Sequence, residues 1–140
     1  MIINEQIEVK TRGNCHVIDI TEKVQELLGK SRLSTGSVIL FNIGSTAGLT
    51  TVEYEPGLAD HDLAAAFERI APSKGTYQHE LTWHDDNGHA HVCASLLGPS
   101  LAVPFIDGRL TLGTWQQIVL IDFDTRPRNR SIVCQIIGAE

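Results

Sequence analysis

The sequence predicts one α/β (α+β) domain over residues 1–140, with a mostly antiparallel, sandwich-like or barrel-like β core covered by two or three helices. Three observations carry this. The last third alternates strand-length apolar runs with turns, including Asp107-Gly108 between SLAVPFI and RLTLG, the pairing that tight hairpins favour. Ser37–Ile43 is a continuous apolar run of strand length. Three segments carry apolar residues at helical spacing.

The elements follow in order. Residues 2–10 alternate as a strand and CHVIDI, residues 15–20, reads as a second. Thr21 offers a side-chain oxygen to cap a short helix with Val24, Leu27 and Leu28 on one face. SVILFNI then reads as a central strand covered on both faces. It ends in the small-residue turn Gly44–Gly48, after which LTTVEY resumes strand character until Pro56 and Gly57. From about Asp60 to Ala71, Leu63, Phe67 and Ile70 form one helical stripe that Pro72 stops. A polar segment, Tyr77–Asn87, leads to a helix capped by Asn87, with Ala90, Ala94 and Leu97 on one face and Gly98-Pro99 at its end. QQIVLIDFD and SIVCQIIG complete the strands.

Composition narrows the function classes. A net charge of −6 disfavours nucleic-acid and anionic-membrane binding, which rest on clustered Lys and Arg. The local exception, Arg126, Arg128 and Arg130, reads as a solvated turn because Pro127 and Asn129 interrupt it. No stretch approaches the length of a membrane helix, and MIINEQIEVK lacks the apolar region of a secretory signal, so the expected location is the cytoplasm. Cys15, Cys93 and Cys134 are odd in number and widely spaced, which predicts buried free thiols rather than a disulfide framework.

Candidate chemistry centres on the histidines. His79, His84, His89 and His91 lie within thirteen residues, a density that invites zinc. On a helix, however, His89 and His91 point about 200° apart and cannot share one ion. His79 and His91 are therefore the candidate acid–base or metal pair, with His89 solvent-facing. Hydrogen-bonding histidines in a polar loop fit the pattern equally well. Glu53 and Glu55 end the strand after the turn; a carboxylate there can orient an imidazole, act as a base, or remain a solvated strand end. GSTAG offers Ser45 and Thr46 hydroxyls and open N–H groups to an anion, and serves as readily for a plain tight turn. Arg109 can grip phosphate through its fork of donors or pair with a carboxylate at a subunit contact. Trp115 reads as a packing or interface anchor.

GSTAGLTTVEYEPG, Tyr77-Gln78-His79, Asn87-Gly88-His89-Ala90-His91 and SLLGPSLAVPFIDGRLTLGTWQQIVLIDFD together resemble the YjbQ-like family, from about Val38 to Gly138. The resemblance implies an α/β fold with an antiparallel core, a homotrimer with the site near subunit contacts, and a secondary thiamine-phosphate synthase activity. It makes His79, His91 and Glu53 the expected catalytic residues. Ser45, Thr46, Asn87 and Arg109 are the expected substrate or phosphate ligands; the cofactor is left open, with a divalent metal, zinc or magnesium, on His79 and His91 as the candidate. The commonest family pattern opens the small-residue turn with histidine; this chain has Gly44 there. Two functions are thus expected to compete: an enzyme acting on a small phosphorylated substrate, and a non-catalytic trimer holding a small ligand or metal ion.

Overall fold

The structure is a computed structural model describing residues 1–140. Strands β1 (Ile2–Thr11), β3 (Thr35–Ile43), β5 (Ser100–Ile106), β6 (Arg109–Leu110) and β8 (Arg128–Ala139) form a five-stranded sheet in the order β1-β8-β3-β5-β6. Strands β2 (His16–Asp19), β4 (Ala47–Val52) and β7 (Gln117–Asp122) form a second in the order β2-β7-β4, and every pairing is antiparallel. The two sheets curl around one core. Ile7 and Val9 of β1, Val38 and Leu40 of β3, Phe105 of β5, and Ile132, Cys134 and Ile136 of β8 meet Leu49 of β4 and Ile118 and Leu120 of β7. Helix α1 (Thr21–Ser31) joins this core with Val24 and Leu28, each fully buried and worth about 1.5–3 kcal/mol of burial.

The other face of the small sheet builds a second core. Val17, Val119, Ile121 and Phe123 pack there with Ala59, Ala71, Ala90, Cys93 and Ala94, from the segment around α2 (Leu63–Ile70) and from α4 (Gly88–Leu97). The strand covered on both faces is therefore β7, not β3. Residues Ile118–Ile121 are all fully buried, whereas Phe41 and Ile43 of β3 are 45% and 50% exposed. An unbroken apolar run does not say whether its second face meets the protein's own chain or is left open, and on β3 it is left open.

Local chemistry explains the remaining differences. Thr21 does not cap α1: Asp19 Oδ1 accepts its N–H and hydroxyl at 2.9 and 2.6 Å, and Thr21 Oγ1 accepts the Ile118 N–H at 2.8 Å. One wider π-type turn, Leu58–Asp62, precedes α2, and the Glu55 carboxylate accepts the Gly57 and Leu58 N–H groups that open it. Those bonds hold the Glu55 carboxyl below its ordinary range. Within the polar segment lies a short helix, α3 (Gln78–Trp83), which buries no residue and so leaves no apolar stripe to read. Asp107 and Gly108 both have positive φ, 52° and 69°, as the hairpin signal requires. The thiols are free, with Cys93 and Cys134 buried and Cys15 half-buried. No helix is long and apolar enough to cross a membrane.

Candidate functional site

The Gly44–Thr46 turn, α3 and the first turns of α4 converge at one end of the small sheet. His79 and His91 meet there, with ring centroids 4.5 Å apart and planes tilted by 39°. His79 Nδ1 lies 3.1 Å from Glu80 Oε1 and 3.1 Å from Asp85 Oδ1. Glu80 Oε1 makes the hydrogen bond to Nδ1, while Asp85 Oδ1, buried without a hydrogen-bond partner, stands against the same nitrogen. Burial lowers the His91 pKa first, the neighbouring His79 lowers it further, and Asp124, Asp85 and Glu80 oppose them without cancelling the effect. His91 is thus neutral at pH 7 and able to accept a proton.

The pair is held from behind. Glu80 Oε1 accepts the Gly88 N–H at 2.7 Å, so Glu80 caps α4 while also touching His79. A Cβ at Gly88 would stand 2.5 Å from that oxygen, so only glycine permits the approach. Asn87 precedes the helix without capping it; its Nδ2 donates to Asp124 Oδ1 at 3.4 Å, and its Oδ1 is buried without a partner. His89 is 8% exposed and does not face solvent. It does point away from His91, as helical geometry demands, but that direction leads into a cavity of about 140 Å³ shared with Cys15 and Cys93.

His91 and the turn open onto a cleft of about 410 Å³ lined by Phe41, Gly44, Ser45, Ala47, His91 and Ala94 among others. Ser45 is exposed on its rim. Thr46 is buried, its hydroxyl donating to Asp124 Oδ2 at 2.9 Å and accepting from Arg130 Nη2 at 2.6 Å. It braces the turn rather than facing the cleft. Glu53 lies past the other end of β4, about 20 Å of strand from Thr46, so it does not join the histidines within one chain. Arg109 is equally remote: it pairs with Ile106, which lies opposite Thr35 at the far end of β3 from Gly44.

The arginine that does reach this region is Arg130. It does not belong to a solvated turn: its Nε donates to Asp122 Oδ2 at 2.7 Å and its Nη2 to Asp122 Oδ1 at 2.8 Å, with both side chains buried. Arg128 pairs with Asp124 at 3.0 Å, and the Thr11 hydroxyl donates to Asp122 Oδ2 at 2.6 Å. Burial raises the Asp124 carboxyl, but the Thr125 N–H, the Thr46 hydroxyl, Arg128 and Asn87 outweigh it and hold the pKa below the ordinary value. The sequence does carry a signal for this network. Asp122 and Asp124 alternate at the end of one strand, Arg128 and Arg130 at the start of the next, which puts opposite charges on one face of a returning chain.

A metal held by histidines at 44, 79 and 91 does not fit this chain. Position 44 is glycine at φ +139°, and a Cβ there would stand 2.9 Å from Arg130 Nη1. The donors that do gather are His79 Nδ1, Glu80 and Asp85, with ligand atoms within 4.8 Å of one another.

A curled two-sheet α+β protein with a carboxylate-anchored histidine pair at a cleft defines the class. The sequence profile of the UPF0047 protein YjbQ-like family matches residues 5–139, and the chain belongs to that family. A UPF0047 protein of Archaeoglobus fulgidus is 35% identical over 132 residues, covering 94% of this chain and 99% of the relative. YugU of Bacillus subtilis is 32% identical, covering 94% and 97%. Among solved structures, a YbjQ-like protein of unknown function from Sulfolobus solfataricus superposes with a TM-score of 0.92 at 32% identity, covering 99% of this chain and 98% of that one. An uncharacterised conserved protein of the same family from Clostridium acetobutylicum gives 0.86 at 34% identity, covering 95% and 99%.

Proposed function

We propose that the protein is an enzyme of the secondary thiamine-phosphate synthase type, acting on a small phosphorylated substrate by acid–base catalysis at His79 and His91. The observation that carries this is the 4.5 Å histidine pair, with one ring fixed by two carboxylates and the other bordering a cleft. His91 supplies a base at the cleft, and His79, its Nδ1 against Glu80 and Asp85, is the second ring of the pair. In the transfer itself, the thiazole nitrogen forms a bond to the pyrimidine methylene while that methylene's bond to pyrophosphate breaks. The leaving pyrophosphate needs positive charge, which Arg109 is too distant to give.

The test is thiamine phosphate formation from the two phosphorylated precursors by the wild-type chain and by the His79→Ala/His91→Ala variant. Product from the wild type, lost in a variant that melts at the wild-type temperature, supports the reading. Absence of product from the wild type, or undiminished product from the variant, overturns it.

Self-association belongs to the same proposal. The outer face of the large sheet exposes Ile2, Phe41, Ile43, Ile106 and Ile137, and Phe41 also borders the cleft. A second copy on this face would wall the cleft from the side, with the resemblance supplying the number three. Light scattering that returns a monomer mass removes this part.

The second reading, a trimer that binds a metal ion or small ligand without catalysis, is favoured by the His79, Glu80 and Asp85 donors. Stoichiometric zinc or magnesium in untagged protein, lost with Asp85→Asn and unaccompanied by turnover, would select it.

A further inference from the structure

We propose that Arg130, reached through the gap that Gly44 leaves in the turn, is a binding group for a phosphate oxygen. The proposal rests on the reading above for the location of the site and names how its phosphorylated ligand is held.

Two of the three guanidinium nitrogens are occupied: Nε and Nη2 donate to Asp122, and Nη2 also to Thr46. Nη1 has no hydrogen bond to the protein, and it is not among the enclosed polar atoms lacking a partner. Its open N–H groups therefore meet solvent, although the residue as a whole is only 7% exposed. A buried arginine gripped on two nitrogens cannot swing away, so the third is aimed in advance.

That nitrogen stands beside Gly44. A Cβ built there meets only two atoms within 4 Å, Arg130 Nη1 at 2.9 Å and Asn42 Nδ2 at 3.7 Å. A methyl there would cover Nη1, so glycine leaves that nitrogen's N–H groups open on the side of the turn, where a ligand oxygen in van der Waals contact with the Gly44 Cα can approach them. Nη1 is the free donor here, because Asn42 Nδ2 already gives its hydrogens to the Gly44 and Ala47 carbonyls at 3.3 Å each. Gly44 and Ser45 also border the cleft that contains His91, and the exposed Ser45 hydroxyl stands beside the gap. Electrostatics permits an anion here. Arg128 and Arg130 balance Asp122 and Asp124, and both carboxylates already accept several donors. The ligand class is a phosphate monoester or the end of a pyrophosphate.

Inorganic phosphate is the probe. In ¹⁵N-labelled wild-type protein at constant ionic strength, the Arg130 guanidinium resonances should shift saturably with phosphate and remain still with chloride. Gly44→Ala, whose methyl fills the gap, should weaken phosphate at least about tenfold, the loss of one charge-assisted hydrogen bond. Arg109→Ala should leave it unchanged. If Gly44→Ala fails to fold, the wild-type titration decides alone. Arg130 resonances unmoved by phosphate, or equal binding by folded Gly44→Ala, overturn the proposal. The His79→Ala/His91→Ala variant separates the two readings. Phosphate bound without turnover in any form leaves the Arg130 site standing and removes the enzyme. Histidine-dependent turnover without an Arg130 response removes only the Arg130 site.

Discussion

Two polar clusters lie side by side in this protein and are built on opposite terms. Around Arg130, both carboxylates and the guanidinium are buried, and Asp122, Asp124, Thr46 and Thr11 exchange hydrogen bonds of 2.6–3.2 Å. Around His79, the side chains are a quarter to a third exposed and the two contacts to Nδ1 are both 3.1 Å. Asn87 joins them through Asp124. A buried network of this kind tolerates no missing member, because a stranded charge has nowhere to find water. A half-exposed one can gain and lose protons at modest cost. The first is suited to holding the turn in place and the second to chemistry, so substitutions in the two should separate stability from activity.

The largest effect should come from Arg130→Met, which leaves Asp122 buried and unpaired and should cost about 3–5 kcal/mol in chemical denaturation. A loss below about 1 kcal/mol would mean that the network is not a framework. Next is the turn itself. Thr46→Val removes one donor and one acceptor from buried partners and should cost about 1–3 kcal/mol, while adjacent Ser45→Ala, exposed and without a hydrogen bond, should stay within about 0.5 kcal/mol. Equal effects at the two neighbours would erase the distinction between brace and cleft wall.

The same contrast shows what sequence can reveal. Signals confined to a few neighbouring residues survive translation into structure: Asp107-Gly108 makes its hairpin, and residues 88–97 form the helix expected after Asn87. His79 and His91 come together as their motifs imply. Features that depend on what covers a segment do not survive. Ser37–Ile43 and Gln117–Asp122 are both apolar strands, yet only the second is enclosed, because only it has helices on its far side. Glu80 and Asp85 carry no sequence mark to set them apart from any exposed acid, and they matter only because α3 and the turn after it bring them against His79. Arg130 was legible in the alternation of charges on two successive strands, but proline and asparagine between the arginines point toward a surface turn. Arg109 fails for a simpler reason, since position along the chain does not tell which end of a sheet a hairpin reaches.

At the histidines the stability effects should be small and the functional ones large. Asp85→Asn removes one of two carboxylates from a part-exposed imidazole and should shift stability by no more than about 1 kcal/mol, yet lower turnover by freeing the ring. A variant that loses stability and keeps activity would reverse the roles assigned to the two clusters.

The finest comparison is in pH. His91 is held below the 6.5 of an ordinary histidine, so the unfolded chain takes up this proton before the folded one. Its contribution to stability is complete above pH 6.5 and is lost as pH falls from there through the lowered folded value. Asp124 is held below 3.8, so its contribution persists above that value and is lost only as pH falls through the folded one. Acid should therefore loosen the histidine cluster first and the Arg130 network later. Proton NMR titration of the His91 ring checks the first step: its midpoint should lie below 6.5 and move upward in His79→Ala, because the neighbouring imidazole contributes to the depression. Burial is the larger cause and remains in the variant, so the midpoint should stay short of 6.5. A midpoint unmoved by His79→Ala would show that His91 titrates without regard to its neighbour despite their 4.5 Å separation, and the two rings would then not act as a pair.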